Sequence, residues 1–207
     1  MGWPALFIRL AFCNLHCAWC DTWYTWDKTR IDVVADAKKM TAAELARLIK
    51  YEDLIVVTGG EPLLQWKKLV PVLEQTSWQR CQVETNGTLP PPHRWSWTTW
   101  VVSPKLSNNG ADPPTRRIKP DVLREYVGLD SYFKFVIRDE GDVLEVETLL
   151  NTTLRGVPRD RIYLMPEGRT PKQLEARAPW VAEQARLRGW RYSDRLHIRL
   201  WGDRRGV

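Results

Sequence analysis

The chain has 207 residues, 43% hydrophobic and 27% charged, enough for one well-buried domain and short for two. Its net charge of +6 comes from 31 Lys and Arg against 25 acidic residues, with only brief clusters at Arg116-Arg117 and Arg204-Arg205. No basic stripe is interleaved with aromatics, no apolar run approaches the roughly eighteen residues of a membrane span, and no signal-peptide pattern opens the sequence as written, so neither nucleic acid nor a membrane is expected as a partner. The charge excess reads as a solvated basic face, with an anionic small substrate as the alternative. Three of the four cysteines are packed together, which points to a reducing, cytoplasmic setting rather than a disulfide framework. The 12 tryptophans, Trp3, Trp66, Trp97, Trp100, Trp180 and Trp201 among them, are scattered and read mostly as core or pocket wall.

In chain order, the alternation of Leu6, Ile8 and Leu10 with Phe7, Arg9 and Ala11 predicts a strand that feeds a cysteine-rich loop running to about Lys39. Thr41-Ala42-Ala43-Glu44 is a capping box, and Leu45, Leu48 and Ile49 form the stripe of the helix behind it. Leu54 to Val57 predicts a strand buried on both faces, and Trp66, Leu69, Val70 and Leu73 mark a helix. Further strands are expected over Arg80 to Glu84, Trp100 to Val102, Tyr132 to Ile137 and Ile162 to Met165, with a last one over Leu196 to Trp201. Pro90-Pro91-Pro92 forbids a long helix after the third strand. Helices are expected around Pro120 to Tyr126, over Val143 to Leu150, and after Thr170-Pro171, where Pro179 predicts a kink. Strands alternating with helices over short links give a βα-repeat α/β domain with a parallel sheet. Six units in this length predict a partial (β/α)6 TIM-like barrel, with a modified C-terminal part, rather than a closed eight-unit one. A single domain over residues 1–207 is expected.

Cys13, Cys17 and Cys20 follow C-x3-C-x2-C spacing, with the fourth cysteine far away at Cys81. Three thiolates on a four-iron, four-sulfur cluster leave one iron open for a small chelating molecule. The alternatives are structural zinc, which wants a fourth nearby ligand where only the poorly placed His16 is on offer, and three unrelated core cysteines. Thr58-Gly59-Gly60-Glu61-Pro62, Glu84-Thr85-Asn86-Gly87 and Ser103-Pro104-Lys105 each end a strand, on the edge where parallel βα folds build their sites. The glycines allow close approach of a ligand to main chain, or a tight strand-to-helix turn. Ser103 and Lys105 suit a ribose or carboxylate, or an ordinary loop. Glu84 reads as functional rather than as a solvated tip. Arg9 reads as a buried anion site in preference to a surface arginine. His197, between Leu196 and Ile198, is either a core histidine or a ligand-binding one.

On these motifs the chain resembles the 7-carboxy-7-deazaguanine synthase family of radical S-adenosylmethionine (SAM) enzymes. The resemblance runs through Ala5-Leu6-Phe7-Ile8-Arg9-Leu10, the cysteine loop with Cys20-Asp21-Thr22, the three strand-end motifs and the closing Arg195-Leu196-His197. It implies a lyase that converts 6-carboxy-5,6,7,8-tetrahydropterin to 7-carboxy-7-deazaguanine with loss of ammonia, as in queuosine biosynthesis, with SAM used catalytically. It further implies a 4Fe-4S cluster on Cys13, Cys17 and Cys20, and SAM contacts from Trp19, Asp21, Gly59, Gly60, Asn86, Ser103, Pro104 and Lys105. Substrate contacts are implied for Arg9, Thr58, Glu84 and His197, and a magnesium ligand for Thr22. The expected partners are the pterin, an electron donor such as a flavodoxin, and a second copy in a homodimer. Two departures stand out. Phe12 occupies a position where the family commonly has glycine. The chain also opens at Met1-Gly2-Trp3-Pro4, past the point where relatives carry a Gln-Gly-Glu-Gly segment, so poor turnover of the pterin is expected. The alternatives are a glycyl-radical-enzyme activase, which shares the cysteine spacing and Gly-Gly-Glu-Pro, a non-catalytic iron–sulfur carrier, and a catalytically impaired relative.

Overall fold

The apolar runs of the sequence become parallel strands of one curved sheet. The computed structural model describes residues 4–50, 52–74, 80–92 and 98–205; Trp3, Trp97 and the closing Gly206-Val207 lie outside the described residues. Strands β1 (Leu6–Leu10), β2 (Leu54–Gly59), β3 (Arg80–Thr85), β4 (Thr98–Val102), β5 (Ser131–Ile137), β6 (Ile162–Pro166) and β7 (Arg191–Tyr192) form a seven-stranded sheet in sequential order. Every neighbouring pair is parallel. Between and after them lie helices α1 (Val33–Asp36), α2 (Ala42–Ile49), α3 (Trp66–Leu73), α4 (Pro114–Arg117), α5 (Pro120–Val127), α6 (Glu140–Thr152), α7 (Pro171–Arg188) and α8 (Leu196–Trp201). This is the expected α/β, TIM-like partial barrel.

Sequential strand order with right-handed crossovers places the helices on one face of the sheet and leaves the other to a cavity. The side chains sort accordingly. Ile8, Ile55, Val57, Cys81, Val83, Trp100, Val102, Phe133 and Phe135 are buried against helix residues such as Leu73, Leu123 and Val146. Along β3, β4 and β5 the alternate residues Gln82, Glu84, Val101, Tyr132 and Lys134 are only half-buried and line the cavity. At β2 both faces are buried, as its unbroken apolar run implies. Trp100 anchors the helix layer, its ring 6.0 Å from that of Trp66 and 5.5 Å from that of Tyr126.

Local signals are realised where a specific hydrogen bond enforces them. Thr41 and Glu44 cap α2 reciprocally, and Thr170 with Gln173 does the same for α7. Helix α7 runs on through Pro179. Leu48, expected on the buried stripe of α2, is 52% exposed, and Ile49 carries that contact instead. The loop before α2 is not featureless, for it holds a 3-10 turn at Trp23–Thr25 and α1, capped by Asp32.

The expected last strand is a helix. Leu196, Ile198 and Leu200 alternate as a strand would, yet they lie on α8, with Ile198 buried while Leu196 and Leu200 are exposed. The place beside β6 is already taken by Arg191 and Tyr192, which pair with Tyr163 and Leu164. The chain therefore leaves the sheet, and its amides turn inward, Arg199 N–H to the Arg195 carbonyl and Gly202 N–H to that of Ile198. A six-residue apolar run has too few positions for its period to decide between the two.

Candidate active site

The loop after β1 is held as a rigid shelf by the loops after β2, β3 and β4. Gly60 N–H donates to the Leu10 carbonyl at 2.9 Å and Glu61 N–H to the Phe12 carbonyl at 2.8 Å. A Cβ on Gly59 would lie 2.2 Å from the Leu10 oxygen, and one on Gly60 2.0 Å from the Phe12 oxygen. The space freed by these glycines is thus filled by the chain's own cysteine loop. The Glu61 carboxylate is fully buried and accepts from Leu63 N–H, the Thr85 hydroxyl and Asn86 N–H, which locks the β2 and β3 loops together. Burial pushes the Glu61 carboxyl up, while those three donors oppose the shift.

Phe12 has φ +73°, the left-handed conformation that explains why glycine suits this position. For a bulky residue that conformation costs about 1–2 kcal/mol. Phe12→Gly gives part of this back through unfolded-state entropy, on the order of 0.5–1 kcal/mol. The expected outcome in thermal melts is a small net stabilisation, and a marked loss would show that the exposed ring holds the loop.

Each of the three loop thiols receives a hydrogen bond from nitrogen. Leu15 N–H reaches Cys13 Sγ at 3.4 Å, Asn109 Nδ2 reaches Cys17 Sγ at 3.0 Å, and Trp26 Nε1 reaches Cys20 Sγ at 3.3 Å. Burial pushes the Cys13 thiol up to about 12 and that of Cys17 up to about 11, so these groups ionise only with cationic help. Nearby Lys105 supplies part of it. Donors aimed at sulfur suit thiolate ligands of an iron–sulfur cluster. Among the described residues no three His, Cys, Asp or Glu side chains converge as a single-ion site, which gives structural zinc no ligand set. A cubane spreads its thiolates over separate irons and places no such demand.

The shelf overlooks a cavity of about 2430 Å³ lined by every expected site residue except Pro104. Pro104 is buried beside it. Lys105 Nζ donates to the Ser103 carbonyl at 2.6 Å and to its hydroxyl at 2.9 Å, and burial lowers the lysine's pKa. Trp19 Nε1 donates to the Asn108 carbonyl at 2.9 Å. Asn86 is turned onto the cysteine loop, where its Nδ2 donates to Asn14 Oδ1 at 2.8 Å. Thr22 is half-buried, its hydroxyl 3.5 Å from Cys20 Sγ.

Deeper in the cavity the charges interlock. Asp21 pairs with the buried Arg195, and His197 Nε2 stands 3.9 Å from the same carboxylate. Burial alone would raise the Asp21 carboxyl, but Arg195, His197, Arg9 and Lys134 together hold it below the usual range. Thr58 donates to Glu84 at 3.4 Å, and Lys134 Nζ reaches Glu84 at 3.5 Å. Arg9 is exposed to the cavity rather than buried as expected, because β1 is an edge strand whose inner face is open. His197 is 46% exposed, so it is not a core histidine; burial of the rest of its ring lowers its pKa and favours the neutral form at pH 7.

Four residues of this site escaped the sequence reading: Lys134, Arg195, Trp26 and Asn109. Lys134 had a signal, as the lone charge among Phe133, Phe135 and Val136. Arg195 stands in the closing motif without a role read from it. Asn109 ends a 3-10 turn and acts on Cys17 from 92 residues away, while Trp26 is six residues from Cys20 in the same loop; neither carries a local mark of its role.

The Radical SAM superfamily model matches residues 7–96. The chain is 34% identical over 210 residues to the 7-carboxy-7-deazaguanine synthase of Pyrobaculum aerophilum, covering 100% of this chain and 90% of that protein. It is 34% identical to the synthase of Halobacterium salinarum, over 98% of this chain and 84% of that one. Its fold superposes on the crystal structure of QueE from Escherichia coli with a TM-score of 0.67 and 27% identity, covering 94% of this chain and 86% of that chain. Streptococcus suis SuiB bound to S-adenosylmethionine shares the fold at a TM-score of 0.62 and 14% identity, over 92% of this chain and 50% of its own. At 34% identity over nearly its whole length, and with a shared fold, the chain belongs to the 7-carboxy-7-deazaguanine synthase family.

Proposed function

We propose that this chain is a radical SAM carbon–nitrogen lyase that converts 6-carboxy-5,6,7,8-tetrahydropterin to 7-carboxy-7-deazaguanine with loss of ammonia. The observation that carries the reading is the full-length similarity to synthases of that name. When bound, the 4Fe-4S cluster and SAM supply one-electron cleavage of a sulfonium and hydrogen abstraction from the substrate. Cys13, Cys17 and Cys20 hold the cluster. Trp19, Asp21, Gly59, Gly60, Asn86, Ser103, Pro104 and Lys105 form the wall for SAM, and Arg195 fixes the Asp21 carboxylate in place. Arg9, exposed to the cavity, meets the substrate carboxylate, while Thr58, Glu84 and His197 line the path of the ring. The basic side chains on this wall, among them Lys105 and Lys134, favour an anionic substrate.

The test is anaerobic reconstitution followed by product analysis with the carboxypterin. Equal amounts of 7-carboxy-7-deazaguanine and ammonia are expected; a loaded protein that forms neither would overturn the reading.

Thr22 would hold magnesium through its hydroxyl, a single protein ligand being enough for an ion that gives up its water reluctantly. Thr22→Ala is expected to keep SAM cleavage but to lose most of the response of turnover to magnesium. An unchanged magnesium response would remove Thr22 from the site. A flavodoxin-type electron donor, a homodimeric assembly and a cytoplasmic setting complete the reading. No helix among the described residues is long and apolar enough to cross a membrane.

A further inference from the structure

The segment after β4 carries a residue that both builds its own turn and reaches a thiol of the cysteine loop. Asn109 is fully buried, and both ends of its amide are fixed. Its Oδ1 accepts from Ala111 N–H at 3.0 Å and Asp112 N–H at 2.7 Å. That bond pair assigns the other end as nitrogen, which donates to Cys17 Sγ at 3.0 Å and to Asp112 Oδ2 at 3.2 Å. The turn itself is docked on the cysteine loop at three further points. Ala18 N–H donates to the Asn109 carbonyl at 2.9 Å, His16 N–H to Asp112 Oδ2 at 2.7 Å, and Trp19 Nε1 to the Asn108 carbonyl. Asn108 in turn donates to the Val136 carbonyl and to Asp142 on α6, both at 2.8 Å, so the turn is braced against the rest of the barrel.

Of the four N–H···S bonds to the loop thiols, that from Asn109 is the shortest at 3.0 Å; the other donor from a distant segment, Asn86 Nδ2, stands 4.0 Å from Cys13 Sγ. We infer that Asn109 is a positioning residue for the cluster: its amide holds the Cys17 ligand and raises the cluster's reduction potential. A donor to a ligating sulfur withdraws electron density and favours the reduced, more negative state, so its loss moves the potential down. The inference rests on the reading of Cys13, Cys17 and Cys20 as cluster ligands.

The test compares the reconstituted wild type with Asn109→Asp, which keeps the Oδ1 acceptor of the turn and removes the donor. Paired with it is the exchange Asn109→Asp with Asp112→Asn, which retains the pair's charge and its hydrogen bond while giving up the acceptor of His16 N–H. Iron per chain, far-ultraviolet circular dichroism and the midpoint potential, from the paramagnetic signal at poised potentials, are read for each. A shift to a more negative potential in the loaded variants supports the inference. So does a variant with a native circular dichroism spectrum that loads less iron. Full loading at an unchanged potential in the exchange variant overturns it. If the single variant does not fold, the exchange variant decides alone; if neither folds, Asn109 is a folding residue and the inference fails. A wild type that takes up no cluster would instead overturn the ligand assignment, a separate outcome.

Discussion

Alanine at any one of Cys13, Cys17 or Cys20 is expected to abolish the cluster and all product formation, whereas Cys81→Ala should keep both. The three loop thiols all line the cavity, and each would hold a separate iron of the cluster. Cys81 also borders the cavity region but packs within the helix-facing core at 3% exposure, in register between Ile55 and Thr98. Its truncation costs stability on the order of 1 kcal/mol, as for other small deletions in a core. Iron content and product yield of the four variants, reconstituted side by side, check this. Loss of iron in Cys81→Ala would contradict the assignment of three protein ligands.

Gly60→Ala is expected to be nearly as damaging, through sterics rather than ligation. The new methyl would sit 2.0 Å from the Phe12 oxygen, 2.4 Å from its carbonyl carbon and 2.8 Å from Cys13 N. All three are main-chain atoms that cannot rotate away, so either the β2 loop or the cysteine loop must move. Overpacking of this kind costs about 1–3 kcal/mol. The Gly60–Leu10 and Glu61–Phe12 hydrogen bonds that seat the loop are strained at the same time. Gly128→Ala is the control, because a Cβ there meets nothing within 4 Å. Gly60→Ala should melt several degrees lower and load only a small fraction of the wild-type iron, with Gly128→Ala close to wild type in both. Normal loading by Gly60→Ala would mean that the cysteine loop forms without this seat.

The same contacts show why some of the molecule was legible in its sequence. The first six strands were readable because most are short apolar or alternating runs, and the cluster loop because cysteine spacing is a local property; β7, only Arg191-Tyr192, carries no such mark. Gly59 and Gly60 stand out as a motif, but sequence alone does not reveal that the main chain at Leu10 and Phe12 packs against them. Phe12, a departure from the family pattern, becomes intelligible only with its φ of +73°. The helix at Leu196 to Trp201 was hidden by an alternation that happens to fit a strand. Arg9 was placed on the correct face of β1 yet expected to be buried, since nothing local announces an open barrel edge. Asn109 is invisible in the sequence because its partner Cys17 is reached through the fold of two loops, and Trp26 because a six-residue separation inside an irregular loop does not say which way its ring turns.

The central claim is that the chain rearranges a pterin while using SAM as a reusable cofactor. The most direct measurement counts 7-carboxy-7-deazaguanine formed per SAM consumed, in the anaerobically reconstituted protein with excess reductant, magnesium and carboxypterin. Many product molecules per SAM lost are expected. One SAM destroyed for each turnover, or SAM destroyed with no pterin product, would contradict the account, and the latter would favour an activase.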